Sequence, residues 1–446
     1  MFNSYSYKEN IFLILLIFLG FSLYAGENTH VIEEINFIIQ GDTQENALRK
    51  FVDLKKGDTF PDEETLKENL EQEKQDLVNY RVYDSVEYTS EIIRQDSGTT
   101  YWRITYQVVD TWTLIPIPYP KYSSSSGFRL ALRTDYKNAF GTMSDINLNM
   151  GFNLQYNDNS GSMEVTRWNF TPEWSRIRIN DWLRLTFIAD MSYSYDRFES
   201  GDVLSQYNYS YYRTGLGTSF LFDLPGNWFY RVSPYFDFKY GYDDKNDWGN
   251  YSEEPFNIAV SHGGGWGAVN WSQNFREGQS YSLTHKIRYT FSSDVNDRKL
   301  VNELDASAKW YALIGDMLNF YTRLGAFYVF NDVRSSAGGY IRGVNNYSMS
   351  GQTGVYLNNT LGFQFWRWEG VWDAQIHPFF DIGMIGNPGD FKVNRDFQYG
   401  SGVDLVLFLD KLPTLVARAT IGFNLSDQSL NGWDKLDLII TSTLSY

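Results

Sequence analysis

The chain has 446 residues, no cysteine and a formal net charge of −16. That acidic balance excludes a nucleic-acid binder, which needs a basic face, and the missing cysteines exclude a disulfide framework and a thiolate metal site. Aromatic residues make up 18% of the chain, yet mean hydropathy is only −0.40. This suits strands that alternate apolar and polar residues, with aromatics gathered in girdles.

The first predicted element is a targeting segment, residues 1–25. Lys8 precedes an apolar run from Ile11 to Leu23, and Ala25-Gly26 supplies small residues for cleavage, the pattern of a secretory signal peptide. No later run is long enough for a membrane helix, so a membrane domain here must be a closed barrel.

Residues 27–111 read as a small α+β domain. They carry nineteen acids against nine bases and one tryptophan, Trp102. Val31–Ile39 is β-branched and stops at Gly41-Asp42, a strand. Thr43 is expected to cap a short helix bearing Ala47, Leu48, Phe51 and Val52. Leu54–Asp58 is a turn. Pro61 opens a second helix with Asp62, Glu63 and Glu64 in its first turn, where the macrodipole favours acids. Leu66, Leu70, Leu77 and Tyr80 form its buried stripe. Strands around Ser85–Ile92 and Trp102–Val109 complete a β-α-α-β-β order.

Residues 112–446 read differently. Segments of about ten residues alternate in polarity and are separated by Gly, Asn, Asp and Ser, as in a membrane barrel. Leu415, Ala417, Ala419, Ile421, Phe423 and Leu425 form one face, with Arg418, Thr420 and Asn424 opposite. Leu436, Leu438, Ile440, Ser442, Leu444 and Tyr446 alternate to the last residue. Five strands follow residue 350 and about eleven precede it, so the fold class is mainly β, an antiparallel transmembrane barrel of about sixteen strands. Pro116, Pro118 and Pro120 stand at alternate positions of its first segment, Trp112–Tyr122. One reading is a polyproline linker between the domains. The other is a first strand stripped of three donors along one edge, which makes a weak seam against the last strand ending at Tyr446.

Gly338-Gly339-Tyr340-Ile341-Arg342-Gly343-Val344 is a loop with one arginine among apolar neighbours. Phe379-Phe380-Asp381-Ile382-Gly383 follows one strand later. Asp381 shares a strand face with His377, Phe379 and Gly383, opposite the apolar Ile376, Phe380, Ile382 and Met384. A carboxylate belongs in the lumen and not on the lipid face. Arginine suits it because a planar fork holds a carboxylate by two bonds.

These features together resemble the BamA/TamA family of outer-membrane assembly and translocation proteins. Residues 27–111 resemble its periplasmic POTRA module, through the Gly41 turn, "LKKGDTF" at Leu54–Phe60, "LVNYRVYDSV" at Leu77–Val86 and "ITYQVVD". Ile341, Arg342 and Gly343 match its loop motif, and Phe379, Asp381 and Gly383 its strand motif. Val344 replaces the usual aromatic. The intervening strand, Asn358–Gln364, lacks the usual acid, which implies one ionic partner fewer for Arg342. The resemblance implies a bacterial outer-membrane location with residues 27–111 in the periplasm. It implies insertion or translocation of polypeptides without covalent chemistry, by strand addition of extended chains and action at a barrel seam. The implied partners are unfolded outer-membrane or secreted polypeptides, outer-membrane lipids and periplasmic accessory proteins. A passive pore or lipid-handling barrel, and a structural surface antigen, are the competing classes.

No catalytic, metal or cofactor motif stands out. His262 lies in Ser261-His262-Gly263-Gly264-Gly265, but no G-x-S-x-G accompanies it, and a Gly-rich strand explains the run. Arg342→Ala is expected to lower barrel assembly or loop order more than Arg334→Ala, measured as the heat-modifiable folded fraction on gels. Equal losses would count against the Arg342–Asp381 pairing.

Overall fold

The computed structural model describes residues 29–123, 127–157, 162–198, 207–244, 256–292, 299–335, 337–345, 348–426 and 436–443. The expected signal peptide, residues 1–25, and the terminal Tyr446 lie outside them. Among the described residues no helix is long and apolar enough to cross a membrane.

The N-terminal part is a four-stranded sheet with two helices. Its strands are β1 (Thr29–Gln40), β2 (Thr59–Phe60), β3 (Tyr83–Asp96) and β4 (Thr99–Asp110), in the order β2-β1-β4-β3. β1 runs parallel to β4, and the other pairs are antiparallel. The helices are α1 (Glu45–Phe51) and α2 (Glu63–Asn79). Leu66, Leu70 and Leu77 of α2 pack with Leu48 and Phe51 of α1 and with Ile32, Ile104, Tyr106 and Val108 of the sheet.

Three local expectations are corrected. Thr43 does not cap α1; Gln44 holds that position without a side-chain bond. The Thr43 hydroxyl instead donates to Asp110 Oδ1 at 2.7 Å, and its N–H to Oδ2 at 2.8 Å. A long-range carboxylate thus outcompetes the local cap. Asp62 is the cap of α2, accepting from the Thr65 N–H at 2.6 Å, and not a first-turn residue. The segment Leu54–Phe60 also contains β2, which pairs Thr59 and Phe60 with Val31 and His30. Two residues are too short to leave a periodic signal.

The rest of the chain is one antiparallel sheet. Its strands begin with β5 (Leu114–Ser123), β6 (Gly127–Tyr136), β7 (Asp145–Asn157), β8 (Ser162–Asn180), β9 (Leu183–Phe198) and β10 (Tyr207–Leu224). Next come β11 (Trp228–Asp244), β12 (Phe256–Ser272), β13 (Phe275–Phe291), β14 (Lys299–Ile314) and β15 (Leu318–Phe330). The last are β16 (Thr353–Trp368), β17 (Trp372–Gly386), β18 (Phe397–Leu409), β19 (Leu412–Asn424) and β20 (Leu436–Thr443). Each pairs with its chain neighbour, and the order returns to its start where β20 meets β5. Among the described residues that last junction has a single registered pair, Ile440 with Tyr122.

Period-two alternation decides which way the sheet curls. On β19, Ile421 and Phe423 are exposed, while Thr420 and Asn424 are buried. On β17, Phe380 and Met384 are exposed, while His377, Phe379 and Asp381 are buried. The apolar rows face outward and the polar rows inward, the inverse of a soluble core.

Connections at one end are tight. The turns β8–β9, β10–β11, β12–β13, β14–β15, β16–β17 and β18–β19 take two or three residues. The N-terminal sheet packs against this end. Met143, between β6 and β7, is buried in its hydrophobic core and accepts from the Tyr83 hydroxyl at 3.0 Å. Arg178 donates to Asp53 at 3.1 Å, Gln75 to the Trp271 carbonyl at 3.2 Å, and the Thr111 hydroxyl to the Lys411 carbonyl at 3.1 Å.

One buried group makes this domain sensitive to pH. Glu73 of α2 accepts the backbone N–H of Asp53 at 2.7 Å and of Leu54 at 3.1 Å. Burial pushes its carboxyl up to about 7; the two N–H bonds oppose this, and Asp53 and Asp76 add to it. The folded form then holds a proton that the unfolded form releases near 4.5, so stability falls as pH rises from about 4.5 to about 7. Glu73→Gln should flatten that slope. Tryptic cleavage of residues 29–110 in the full-length protein, compared at pH 5 and pH 8, measures it; an unchanged pH slope in the variant would exclude Glu73 as the source.

Candidate functional site

The loop between β15 and β16 folds into the barrel. Ile341 is fully buried with Val301, Phe327, Val329, Ala337, Val344, Met349 and Ile385. Tyr340 stacks on Tyr356 at 4.7 Å and on Phe327 at 5.4 Å. Val344 belongs to the same apolar cluster, which accounts for an aliphatic residue where the resemblance led us to expect an aromatic.

This packing delivers Arg342 to the inner wall. Its Nε donates to Asp381 Oδ2 at 2.8 Å and its Nη2 to Oδ1 at 2.7 Å, the two-bond fork expected of the pair. The backbone N–H of Arg342 also reaches Asp381 Oδ2, at 3.0 Å. Nη2 further bonds the Thr360 hydroxyl at 2.9 Å, and the guanidinium lies 4.1 Å from the Phe379 ring centre. Asp381 is fully buried.

β16 meets Arg342 with Thr360, where the resemblance implies an acid, and a second carboxylate comes from β18. Nη1 donates to Asp404 of β18 at 3.1 Å, so Arg342 holds two carboxylates. Thr360 occupies the strand that lacks the acid. Asp404 is itself held by Arg418 and by the Thr420 hydroxyl, the latter at 2.6 Å. The only signal for Asp404 was its polar place in the apolar run Val403–Leu409. Both carboxylates are fully buried, and removing one member of such a group leaves an uncompensated charge, costing about 3–5 kcal/mol.

Backbone contact completes the seat. Gly343 has φ +84°, which L side chains rarely adopt. A Cβ on Gly422 of β19 would meet Gly343 Cα at 2.7 Å, and one on Gly383 would meet the Ile341 side chain at 2.5 Å. Ile341, Arg342, Gly343, Phe379, Asp381 and Gly383 are therefore all gathered at one place.

Arg334 is no free loop charge, so the comparison proposed from sequence loses its neutral control. It forks onto Asp305 at 2.8 and 2.6 Å, bonds the Tyr340 hydroxyl at 2.6 Å and lies 4.4 Å from the Phe327 ring centre. It supports the same loop from the other side. Its partners, a strand away, were invisible in the local sequence.

Pro116, Pro118 and Pro120 do not form a linker. They lie in β5, registered against Thr134, Leu132 and Leu130 of β6. Each strand residue directs its N–H and C=O to the same edge, so these three nitrogens fall on the β20 side. His262 lies in the Gly-rich β12, with Nδ1 3.0 Å from the Tyr230 hydroxyl and Nε2 3.2 Å from His285. A Cβ on neighbouring Gly263 would collide with the Leu283 carbonyl, the close strand approach expected of that run.

The inward arginine loop, the sheet ordered as a ring and the appended α+β domain recur in solved structures of the kind the BamA/TamA resemblance points to, and at the level of fold that resemblance holds. CdiB from Escherichia coli superposes with a TM-score of 0.61 at 14% identity, covering 92% of this chain and 76% of its own. CdiB from Acinetobacter baumannii gives 0.57 at 14% identity, covering 93% and 74%. BamA from Haemophilus ducreyi lacking POTRA domains 1-3 gives 0.50 at 13% identity, covering 92% and 84%. No protein-family model and no curated protein matches the sequence.

Gly422→Ala tests the loop seat without removing a charge. The added methyl should displace the loop and raise protease cleavage within residues 337–345 several-fold, as should Arg342→Ala and Arg334→Ala. Cleavage at the wild-type rate in Gly422→Ala would show that the Gly343 contact does not hold the loop.

Proposed function

We propose that this chain is an outer-membrane barrel that inserts or translocates polypeptides without covalent chemistry. In this reading residues 1–25 are a signal peptide, residues 27–111 a periplasmic POTRA-like domain and residues 112–446 the transmembrane barrel. The fold shared with BamA and CdiB supports it. So does the outward row of Leu, Phe and Trp, which matches a lipid surroundings.

The observation that carries the mechanism is the β5–β20 junction. Pro116, Pro118 and Pro120 remove three donors from the β5 edge, and one described pair joins it to β20. Each absent bond forgoes roughly 1 kcal/mol. This seam is the cheapest place for the barrel to open and to accept or release a strand of a client. The Arg342 loop, fixed to β17 and β18, keeps the neighbouring wall rigid while the seam moves. Outer-membrane lipids meet the opened edge, and periplasmic accessory proteins meet the N-terminal domain that packs against the short-turn end.

A disulfide between cysteines at Tyr122 and Ile440 should abolish activity reversibly, while Pro116→Ala/Pro118→Ala/Pro120→Ala should tighten the seam and slow it. Depletion of the protein followed by outer-membrane proteomics reads the client. General barrel loss supports assembly, and loss of one secreted partner supports dedicated export. Lost solute uptake with an intact proteome would point to a pore, and no change at all to a structural antigen.

A further inference from the structure

The lumen carries a second charged group that the arginine loop does not use. Lys309 of β14 and Arg323 of β15 are direct cross-strand partners. Their strand neighbour Leu324 is exposed on the outer face, so both point inward. Like charges placed directly opposite one another are destabilising. Arg276 of β13 donates to the hydroxyl of Tyr311, two residues along β14 from Lys309, at 3.2 Å.

The group extends to the short-turn end. Arg276 lies 4.4 Å from the Trp271 ring centre, and Arg81, just after α2, lies 4.1 Å from the same ring. Arg81 has φ +55° and donates to Asn274 at 3.1 Å, but its Nε and Nη1 are buried without a hydrogen bond among the described residues. Arg323 bonds the Tyr356 hydroxyl at 2.9 Å, and its Nε is likewise unbonded. Lys309, Arg323 and Arg81 have no ion pair among the described residues. Arg334 and Arg342 each hold carboxylates. In a chain of net charge −16, cations kept apart from acids are costly unless something else answers them.

We propose that Lys309 and Arg323, with Arg81 and Arg276 at the entrance, form a binding site for the carboxylates of an extended acidic polypeptide entering the lumen from the short-turn end. The proposal rests on the polypeptide-handling role above and names the chemistry of what is handled. An acidic guest would relieve the Lys309–Arg323 repulsion. Lipid phosphates do not reach these groups, which face the lumen and not the outer surface. Tyr321, stacked on the buried Tyr311 at 4.9 Å, shares the inward face of β15 with Arg323.

The test is fluorescence anisotropy of a labelled oligoglutamate with the full-length protein in detergent. Wild type should bind it, more weakly as salt rises, and an oligolysine probe should not bind. Lys309→Gln/Arg323→Gln, checked by gel heat-modifiability to be folded, should lose about tenfold in affinity. Equal affinity in wild type and variant, or no binding by wild type, overturns the site. Binding of inorganic phosphate in place of the peptide overturns the choice of ligand. Oligoglutamate binding that needs Lys309 and Arg323, in a protein whose depletion leaves the outer-membrane proteome unchanged, would refute the assembly role and not the site.

Discussion

A guanidinium inside a barrel wall is the constraint on which the upper lumen depends. Arg342 leaves water only because Asp381, Asp404 and Thr360 surround it with acceptors. Those acceptors come from three adjacent strands, β16, β17 and β18, so the arginine ties their relative positions together. The apolar cluster around Ile341 brings the loop inward, and the ion group fixes its angle. Neither suffices alone: burial is non-directional, and an ion pair without packing would be screened by water.

A different logic governs the lower half. There the N-terminal sheet meets the tight turns through hydrogen bonds, stacked arginines and one inserted methionine. The contacts fall on β6–β7, β8–β9, β12–β13 and β18–β19, spread around the rim and not at one hinge. A domain held at several separate points resists tilting in every direction, although each contact is individually modest.

Much of this was legible in the residues, and the reason differs from place to place. Strand alternation is local and strong in β17 and β19, so their inward and outward faces are legible in the sequence. Asp381 could be paired with Arg342 because a carboxylate on an apolar strand has few places to go. Asp404 obeys the same rule but lacks a motif to draw attention to it. Thr43 misled because capping is a local preference, while the competing Asp110 lies 67 residues away. The prolines of β5 misled in the other direction. Proline opposes strands in general, and only knowledge that β5 is an end strand makes three of them acceptable.

Met143 joins two parts of the chain in a single interior. It belongs by sequence to the turn between β6 and β7, yet it is buried in the hydrophobic core of the N-terminal domain and touches Tyr83. The domain therefore borrows a side chain from the barrel to complete its own interior. Until β6 and β7 are in place, that interior has a methionine-sized vacancy. The interior of the N-terminal domain and the turn between β6 and β7 therefore form one packed unit, and loosening either one exposes the other.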